Sequence, residues 1–278
     1  MKLFINEFIK DYKKKITWLY LISIFAIMAI FNVLVSFSYK NMENSQIPPG
    51  EELVFLSLKA SLWVSSIFIL IIFANNVTQE YSRGTAKFLY SRPKSRSGIL
   101  TAKLFLGIFN YLIFSALTFI FDLALNKFVF NKDRINLHTV FTTKMSDNYF
   151  GRLLWQQLGI YFLSFSALMI FFISLVLIIC IIFKTQILSV VVVVVLFISN
   201  DLINVLVGYA VTKFSYVKYI FTNITNITAY YESESSRKLV GEMSKLTDTN
   251  LLIMALSYTV AFLLISYIIH ARRDITLD

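Results

Sequence analysis

Long uninterrupted stretches of apolar residues dominate the sequence, and polar residues are gathered between them. Each stretch is close to or above the ~20 residues that a helix needs to cross the hydrocarbon of a membrane. Backbone polar groups need partners in lipid, which excludes open strands, even at the valine run 190–195. The pattern predicts an all-α membrane protein with one transmembrane domain over residues 1–278 and six spans, at about 16–37, 53–75, 99–121, 153–183, 187–208 and 251–269.

The first residues follow a different pattern, with apolar side chains at helical spacing opposite polar ones. The apolar face consists of Phe4, Ile5, Phe8, Ile9 and Tyr12, and the polar face of Lys2, Glu7, Lys10 and Asp11. Such a helix is typical of the membrane surface, where the apolar face enters the headgroup region. We therefore expect residues 1–15 to form an amphipathic interfacial helix before the first span.

Composition agrees with a membrane protein and excludes an ordinary soluble one. Hydrophobic residues make up 57% of the chain and charged residues 15%, whereas soluble domains are ~45–50% apolar. The net charge of +10 suits loops that face anionic lipid headgroups. Nucleic-acid binding is disfavoured because no soluble basic domain is present to perform it.

The distribution of lysine and arginine predicts the orientation. Segments 1–15, 78–98, 184–186 and 271–278 contain 13 Lys/Arg in 47 residues, and the alternate segments 38–52, 126–151 and 209–250 contain 10 in 83. Short loops rich in lysine and arginine stay in the cytoplasm. We therefore expect a multi-pass protein of the cell membrane with both termini in the cytoplasm.

Two of the alternate loops, 126–151 and 209–250, are long enough to contain short helices of their own. The first half of 209–250 is aromatic and the second half is polar. Aromatic rings with polar tips favour the membrane interface. The pattern predicts short extracytoplasmic helices before the last span, with the aromatic half bent toward the membrane as a cap.

Motifs for covalent chemistry and nucleotide binding are absent from the sequence. It contains no HExxH, CxxC, GxSxG or GxxxxGK[ST] pattern, and His138 and His270 have no Cys, Asp or Glu at ligand spacing. We expect no catalytic residue, no metal site and no cofactor bound by this chain. Transport driven by ATP would therefore need a separate nucleotide-binding subunit.

Two carboxylates lie in or near the spans. Asp122 is placed at the outer end of the third span and is interpreted as an interface residue. Asp201 lies within the fifth span, with Asn200 and Asn204 beside it on the same helix. A carboxylate at the bilayer centre costs ~2.5–3.5 kcal/mol and therefore faces protein or water. Asn200, Asp201 and Asn204 are candidates for a substrate path or a seam between subunits, with a structural hydrogen-bond cluster as the alternative.

The segment between the second and third spans, 78–98, is strongly basic. Glu80 closes the second span, Gly84 and Thr85 permit a turn, and Pro93 ends a short predicted helix over 85–91. Phe88 and Leu89 on this helix need an apolar partner. The basic residues around them suit lipid headgroups or the acidic rim of a cytoplasmic protein; they are Arg83, Lys87, Arg92, Lys94 and Arg96.

This segment resembles the one that joins the second and third spans in the membrane subunits of type-2 ATP-binding-cassette (ABC) exporters. The matching positions are Glu80, Gly84, Thr85, Leu89, Pro93, Ser95, Arg96, Leu100 and Lys103. The layout is also similar over the whole chain, from the amphipathic start through six spans to the long loop before the last helix.

The resemblance implies a coupling helix within 84–92 that docks into a groove of a cytoplasmic ABC ATPase, with Lys184, Thr185 and Gln186 as a smaller second contact. It further implies two ATPase subunits, a second permease chain identical or paralogous to this one, and ATP and Mg bound by the ATPases. Transport would then proceed by alternating access. The apolar, phenylalanine-rich spans favour a hydrophobic or amphipathic cargo, such as an antimicrobial or cytolytic peptide exported by a Gram-positive bacterium or removed in self-immunity.

Two other classes of function stay open on sequence alone. A secondary carrier or channel driven by an ion gradient would need no ATPase and would depend on Asp201. A non-transporting immunity or scaffold protein would tolerate changes at Gly84, Leu89 and Pro93, where a permease driven by an ATPase would fail.

Overall fold

The computed structural model describes residues 2–40, 50–82, 84, 96–129, 138, 140–142, 148–183 and 185–272. Helices account for most of them. In chain order they are α1 (Lys2–Tyr12), α2 (Lys15–Lys40), α3 (Gly50–Ser82), α4 (Arg96–Val129), α5 (Leu154–Phe183), α6 (Gln186–Lys213), α7 (Asn226–Tyr230), α8 (Glu234–Ser244) and α9 (Asp248–Arg272).

Six of the described helices, α2 to α6 and α9, are long and apolar enough to cross a membrane. They correspond one to one to the predicted spans, which confirms the all-α membrane fold. The helices extend beyond the apolar runs, most clearly in α3, which continues to Ser82. The segment predicted as a loop over 78–98 is therefore helical at both of its ends, and its centre, residues 85–95, lies outside the described residues.

The centre of the bundle is formed by α3 and α5. Helix α3 packs against α4, α5 and α6, and α5 also packs against α9. Buried serines line α3 at Ser57, Ser61, Ser65 and Ser66, and each donates its hydroxyl to a carbonyl of its own helix. Because these small side chains satisfy their own polarity, neighbouring helices can pack closely against α3.

Helix α1 is present where it was predicted, but its packing differs from that of a simple surface helix. Phe4 and Phe8 contact the ring of Phe109 on α4 edge to face, with centroids 5.7 and 5.6 Å apart. On the polar face, Asp11 is 1% exposed. Part of the polar side therefore enters the protein, because α3 and α4 supply partners for its charges.

A small antiparallel hairpin precedes α5. Strand β1 (Val140–Thr142) pairs with β2 (Asn148–Leu153), with Val140 opposite Leu153 and Thr142 opposite Asn148. The sequence showed only that this loop is long enough for short helices, and its described part forms strands, which β-branched and aromatic residues favour. The hairpin is anchored by Phe150, whose ring lies 4.7 Å from the guanidinium carbon of Arg152 and 5.8 Å from that of Arg237 on α8.

The segment between α6 and α9 folds into short helices, as predicted. Two 3-10 helices, Ser215–Tyr219 and Phe221–Thr225, lead into α7 and α8. Gln157 of α5 holds the segment by donating to the carbonyls of Tyr231 and Glu232 at 2.8 and 2.9 Å. Its aromatic residues are divided: Tyr216 is 73% exposed, whereas Tyr230 is buried. We call this end of the bundle the hairpin end and the opposite one the α1 end.

Candidate functional site

The two ends of the basic segment are joined by a buried ion pair at the α1 end. Glu80, in the last turns of α3, lies 2.8 Å from the ammonium of Lys103 on α4. Glu80 is 6% exposed and Lys103 is 3% exposed. These residues are the first and last of the positions that carry the family resemblance. The structure therefore closes the chain between them into a loop with a fixed base.

Helix α1 adds a second pair of charges to this base. Lys10 contacts the Glu80 carboxylate, and Glu7 lies 4.0 Å from Lys103. The cluster thus contains two carboxylates and two ammonium groups, which balances its charge. Removing one member of a buried ion pair costs ~3–5 kcal/mol because it leaves the other charge without compensation. We call Glu7, Lys10, Glu80 and Lys103 the clamp.

Helix α9 also contacts the base of the loop. The hydroxyl of Tyr81, next to Glu80, lies 3.3 Å from Nδ1 of His270, and the hydroxyls of Thr101 and Tyr267 are 2.6 Å apart. The last span is therefore connected to both α3 and α4 at this end. Three spans, α3, α4 and α9, therefore contact one another at the loop base, and a displacement of the base would act on all three.

The loop itself is described only at its start. Gly84 has a φ of +68°, a left-handed conformation that favours glycine, which agrees with the predicted turn. At the far side, Arg96 begins α4 and Leu100 is buried. The remaining predicted coupling residues, Thr85, Lys87, Phe88, Leu89, Pro93 and Ser95, lie outside the described residues, and the coupling helix stays a prediction.

The second predicted contact, at the turn between α5 and α6, lies against the last turns of α3. Lys184 is outside the described residues, and Thr185 precedes the first turn of α6. The backbone N–H of Gln186 donates to Ser82 Oγ at 3.0 Å, and its side chain donates to Asn75 Oδ1 at 3.0 Å. The structure therefore attaches this turn to the end of α3, from which the chain enters the basic segment.

A polar network fixes the turn between α1 and α2, and sequence reasoning missed it. Asn110 of α4 donates to the Asp11 carboxylate at 2.8 Å and accepts from the Tyr12 hydroxyl at 3.1 Å. Burial and the neighbouring Asp11 carboxylate raise the pKa of Tyr12 to about 12, so this hydroxyl remains a donor. Lys14 donates to Asn76 Oδ1 at 2.6 Å, and burial lowers its pKa, an effect partly offset by Asp11. An isolated Asp and Lys on a short helix carry no signal for partners 62 to 99 residues away.

The third group of candidates, Asn200, Asp201 and Asn204, lies on α6 toward the hairpin end. Asn200 donates to Thr225 Oγ1 at 2.7 Å, and Asn204 donates to the same oxygen. These two residues therefore hold the 3-10 helix Phe221–Thr225 against α6 through one hydroxyl. Asp201 is exposed on the surface of α6 and points into a neighbouring cavity.

This cavity, which we call the outer cavity, has a volume of about 540 Å³. It lies among α2, α3, α5 and α6. Aromatic and aliphatic side chains form most of the wall, including Phe31, Trp63, Tyr161, Phe165, Leu168, Phe172 and Phe197. Polar groups are concentrated at one end, from Lys59, Asn200, Asp201, Thr225 and Thr228, and Lys59 also pairs with Glu232. An amphipathic molecule matches this division of surface.

The interpretation of Asp122 as an interface residue is wrong. It is fully buried, and Asn32 of α2 donates to its Oδ1 at 2.7 Å. Asn126 donates to its Oδ2 at 3.3 Å and to Ser57 of α3 at 2.7 Å. The correction has a simple cause: the hydrogen-bond donors that a buried charge requires come from Asn32 of α2, which the carboxylate faces, and from Asn126 of α4 itself.

Comparison with known proteins gives the family. A search of the curated proteins found no match. The family model described as "ABC-2 family transporter protein" matches residues 3–200, from α1 through the loop base to Asn200. Members of this family are transmembrane components of transporters, typically without an ATPase site of their own. Since the match covers more than half of the sequence, the chain belongs to the ABC-2 family of transporter proteins.

Proposed function

We propose that this chain is the permease subunit of an ATP-driven exporter and that a separate cytoplasmic ABC ATPase powers it. The observation that supports this most directly is the clamp, which holds Glu80 and Lys103 together at the base of the basic loop. A rigid base allows a push on the loop to move α3 and α4 rather than to be absorbed by the chain. The adjacent Gln186 turn would provide the smaller second contact.

The proposed orientation places the α1 end and both termini in the cytoplasm. The loops at this end are the ones rich in lysine and arginine, which favours the cytoplasmic side. In this orientation the residues from Thr85 to Ser95 face the ATPase. Phe88 and Leu89 would enter its groove, while Lys87 and Arg96 would meet an acidic rim.

We further propose a second permease chain, identical or paralogous, with one ATPase for each. The surfaces of α2, α6 and α9 leave room for such a partner, because only 22%, 17% and 22% of their most apolar segments are buried within one chain. Asp201 lies on the exposed surface of α6. Since a carboxylate in hydrocarbon costs ~2.5–3.5 kcal/mol, a partner chain or a water-filled path beside it is favoured over lipid.

The proposed cargo is hydrophobic or amphipathic, and an antimicrobial or cytolytic peptide, exported or removed for self-immunity, is the example that we favour. The outer cavity supports this class, since its wall is mainly apolar and its polar groups lie at one end. Opening of the cavity toward alternate sides of the membrane would follow from the closure of two ATP-bearing ATPases.

The test is the recovery of an ATPase partner. The tagged full-length chain is purified in mild detergent, bound proteins are identified by mass spectrometry, and ATP hydrolysis is measured. Leu89→Asp places a charge where an apolar contact is proposed, and it should abolish both recovery and hydrolysis. Leu239→Asp is the matched control, because Leu239 is 60% exposed on α8 at the hairpin end. It should leave both unchanged.

Two results would contradict the proposal. One is wild-type protein without any ATPase partner, which would favour the carrier driven by an ion gradient or the scaffold protein. The other is Leu89→Asp with undiminished recovery and undiminished ATP hydrolysis, which would exclude the loop as the docking element.

A further inference from the structure

A second cavity lies at the α1 end, separate from the outer cavity. It has a volume of about 520 Å³ and lies between α1, the first turns of α2, the last turns of α3 and the start of α6. Its polar lining includes three lysines, Lys10, Lys14 and Lys15, together with Asn75, Gln79 and Gln186. We call it the lysine cavity.

The lysine cavity carries a net positive charge. The acidic residue in its wall is Asp11, which is 1% exposed and already accepts a hydrogen bond from Asn110. Lys14 lies 3.6 Å from this carboxylate, and Lys10 contacts Glu80. Lys15 is exposed and has no acidic partner among the residues that the structure describes. An anion entering the cavity therefore meets more positive charge than the protein neutralises.

The surroundings of the lysine cavity are apolar on one side. Ile16 in its wall is 50% exposed, and Leu19 and Ile22 continue the exposed surface along α2 at 59% and 66%. Trp18, on the same turn, is half exposed, and its indole N–H donates to the carbonyl of Tyr12 at 2.9 Å. Tryptophan in this setting is typical of the boundary between headgroups and acyl chains. A charged pocket thus adjoins a surface suited to an acyl chain.

Gln79, which lines the lysine cavity, has a side-chain acceptor without a partner among the described residues. Gln79 Oε1 is buried and forms no hydrogen bond with any described residue. Buried polar atoms without partners cost free energy, so a ligand that donates a hydrogen bond there is favoured. A hydroxyl group of a lipid headgroup would supply that donor.

We propose that the lysine cavity binds the headgroup of an anionic phospholipid, with its phosphate at the three lysines, a headgroup hydroxyl at Gln79 and an acyl chain along the exposed surface of α2. The adjoining apolar surface favours a lipid over a free phosphate compound. Binding here does not require an ATPase partner, and it can be tested independently of transport.

The sequence offers a matched pair of variants. Lys15 lines the cavity, and Lys13, two residues earlier, is exposed and outside it. Lys15→Gln and Lys13→Gln remove the same charge from neighbouring positions. Lys15→Arg retains the charge. Because both lysines are exposed, these changes are expected to leave folding intact, which a gel-filtration profile in detergent verifies.

The experiment uses the purified full-length chain and native mass spectrometry. Phosphatidylglycerol is compared with phosphatidylcholine of the same acyl chains, and water-soluble glycerol phosphate serves as the probe for a free phosphate compound. Wild type, Lys13→Gln and Lys15→Arg should retain phosphatidylglycerol in preference to phosphatidylcholine. Lys15→Gln should weaken its binding about fivefold, the usual effect of one lysine near an anionic lipid surface.

Three results would overturn the proposal. Equal retention of the two lipids by wild type would exclude recognition of the headgroup charge. Equal losses in Lys13→Gln and Lys15→Gln would show a general surface effect and no cavity. Binding of glycerol phosphate as tight as that of phosphatidylglycerol would assign the pocket to a soluble phosphate compound.

Discussion

The ring of Phe73 on α3 lies directly against Gly107 on α4, where an added Cβ would be 2.4 Å from Phe73 Cδ2. Phe73 is 1% exposed, so its ring has little room to move. Glycine is therefore needed at this crossing for the helices to approach as closely as they do.

Gly107→Ala should destabilise the protein by about 1–3 kcal/mol, the usual cost of overpacking a core. The effect is measured as the midpoint temperature of thermal unfolding in detergent, with gel filtration used to monitor the folded fraction. Gly159→Ala on α5 is the control, since no atom lies within 4 Å of its added Cβ. Alanine favours a helix interior over glycine, and this variant should unfold at an equal or higher temperature. Equal midpoints for wild type and Gly107→Ala would show that the helices separate at no cost.

The clamp predicts that Glu80→Gln affects both stability and coupling. The Lys103 ammonium would lose its nearest carboxylate in a buried site, at a cost of about 3–5 kcal/mol. Unfolding temperature and recovery of the ATPase should both fall. The double variant Glu80→Gln, Lys103→Met also removes the ammonium that lost its nearest carboxylate. It should regain part of the stability, but the ATPase should still not be recovered with it.

A control for the clamp is available at the hairpin end. Lys59→Met breaks the Lys59–Glu232 pair, whose side chains are 31% and 24% exposed. Its stability cost should be smaller because solvent screens the pair, and ATPase recovery should stay at the wild-type level. Loss of recovery in this variant as well would show that any broken ion pair disturbs docking.

Asn32→Leu tests the buried network around Asp122. The change removes the donor that lies 2.7 Å from Asp122 Oδ1, and an unsatisfied buried acceptor costs about 1–3 kcal/mol. The unfolding midpoint should therefore fall, and Asp122→Leu in the same chain should reverse part of the loss. Ser38→Ala on the same helix removes an exposed hydroxyl that donates to the carbonyl of Leu34 in its own helix and should be neutral. An unchanged unfolding midpoint in Asn32→Leu would contradict this prediction and would mean that water replaces the amide as the donor to Asp122.

Asp201→Asn tests the outer cavity as a cargo site. For a positively charged amphipathic peptide, the loss of one charged contact should weaken transport about tenfold. ATPase recovery should be unaffected, since position 201 lies far from the α1 end. Glu242→Gln, an exposed carboxylate on α8 outside the cavity, is the control. Unchanged transport in Asp201→Asn, or an equal loss in Glu242→Gln, would contradict a direct role.

The spans were predictable because each depends only on the length and composition of a continuous segment. The same holds for the turn at Gly84, where a positive φ is a local property. The partners of the buried charges were not predictable in this way. Asp122 and Asn32 are 90 residues apart, and nothing in the local pattern around either residue indicates the other.

Part of the candidate site was predictable from the sequence, because a glutamate and a lysine mark the two ends of the matching pattern. Glu80 and Lys103 belong to the pattern of the family resemblance, although that pattern alone does not show that they form an ion pair. Glu7 and Lys10 were assigned to the polar face of an interfacial helix. Nothing in that pattern indicates their ionic contacts with Lys103 and Glu80, which depend on the packing of α1 against α3 and α4.

The hydrogen bonds of Gln186 to α3 connect the start of α6 firmly to the end of α3. In the proposed transporter, a torque applied to the loop after α3 would be shared with α6 before it reaches the middle of the membrane. Farther along, Trp63 of α3 and Phe197 of α6 pack together with ring centroids 6.0 Å apart in the wall of the outer cavity. Closure of the ATPase subunits would then move α3 and α6 together as one wall of the outer cavity. The cavity would open and close as this wall moves relative to α5.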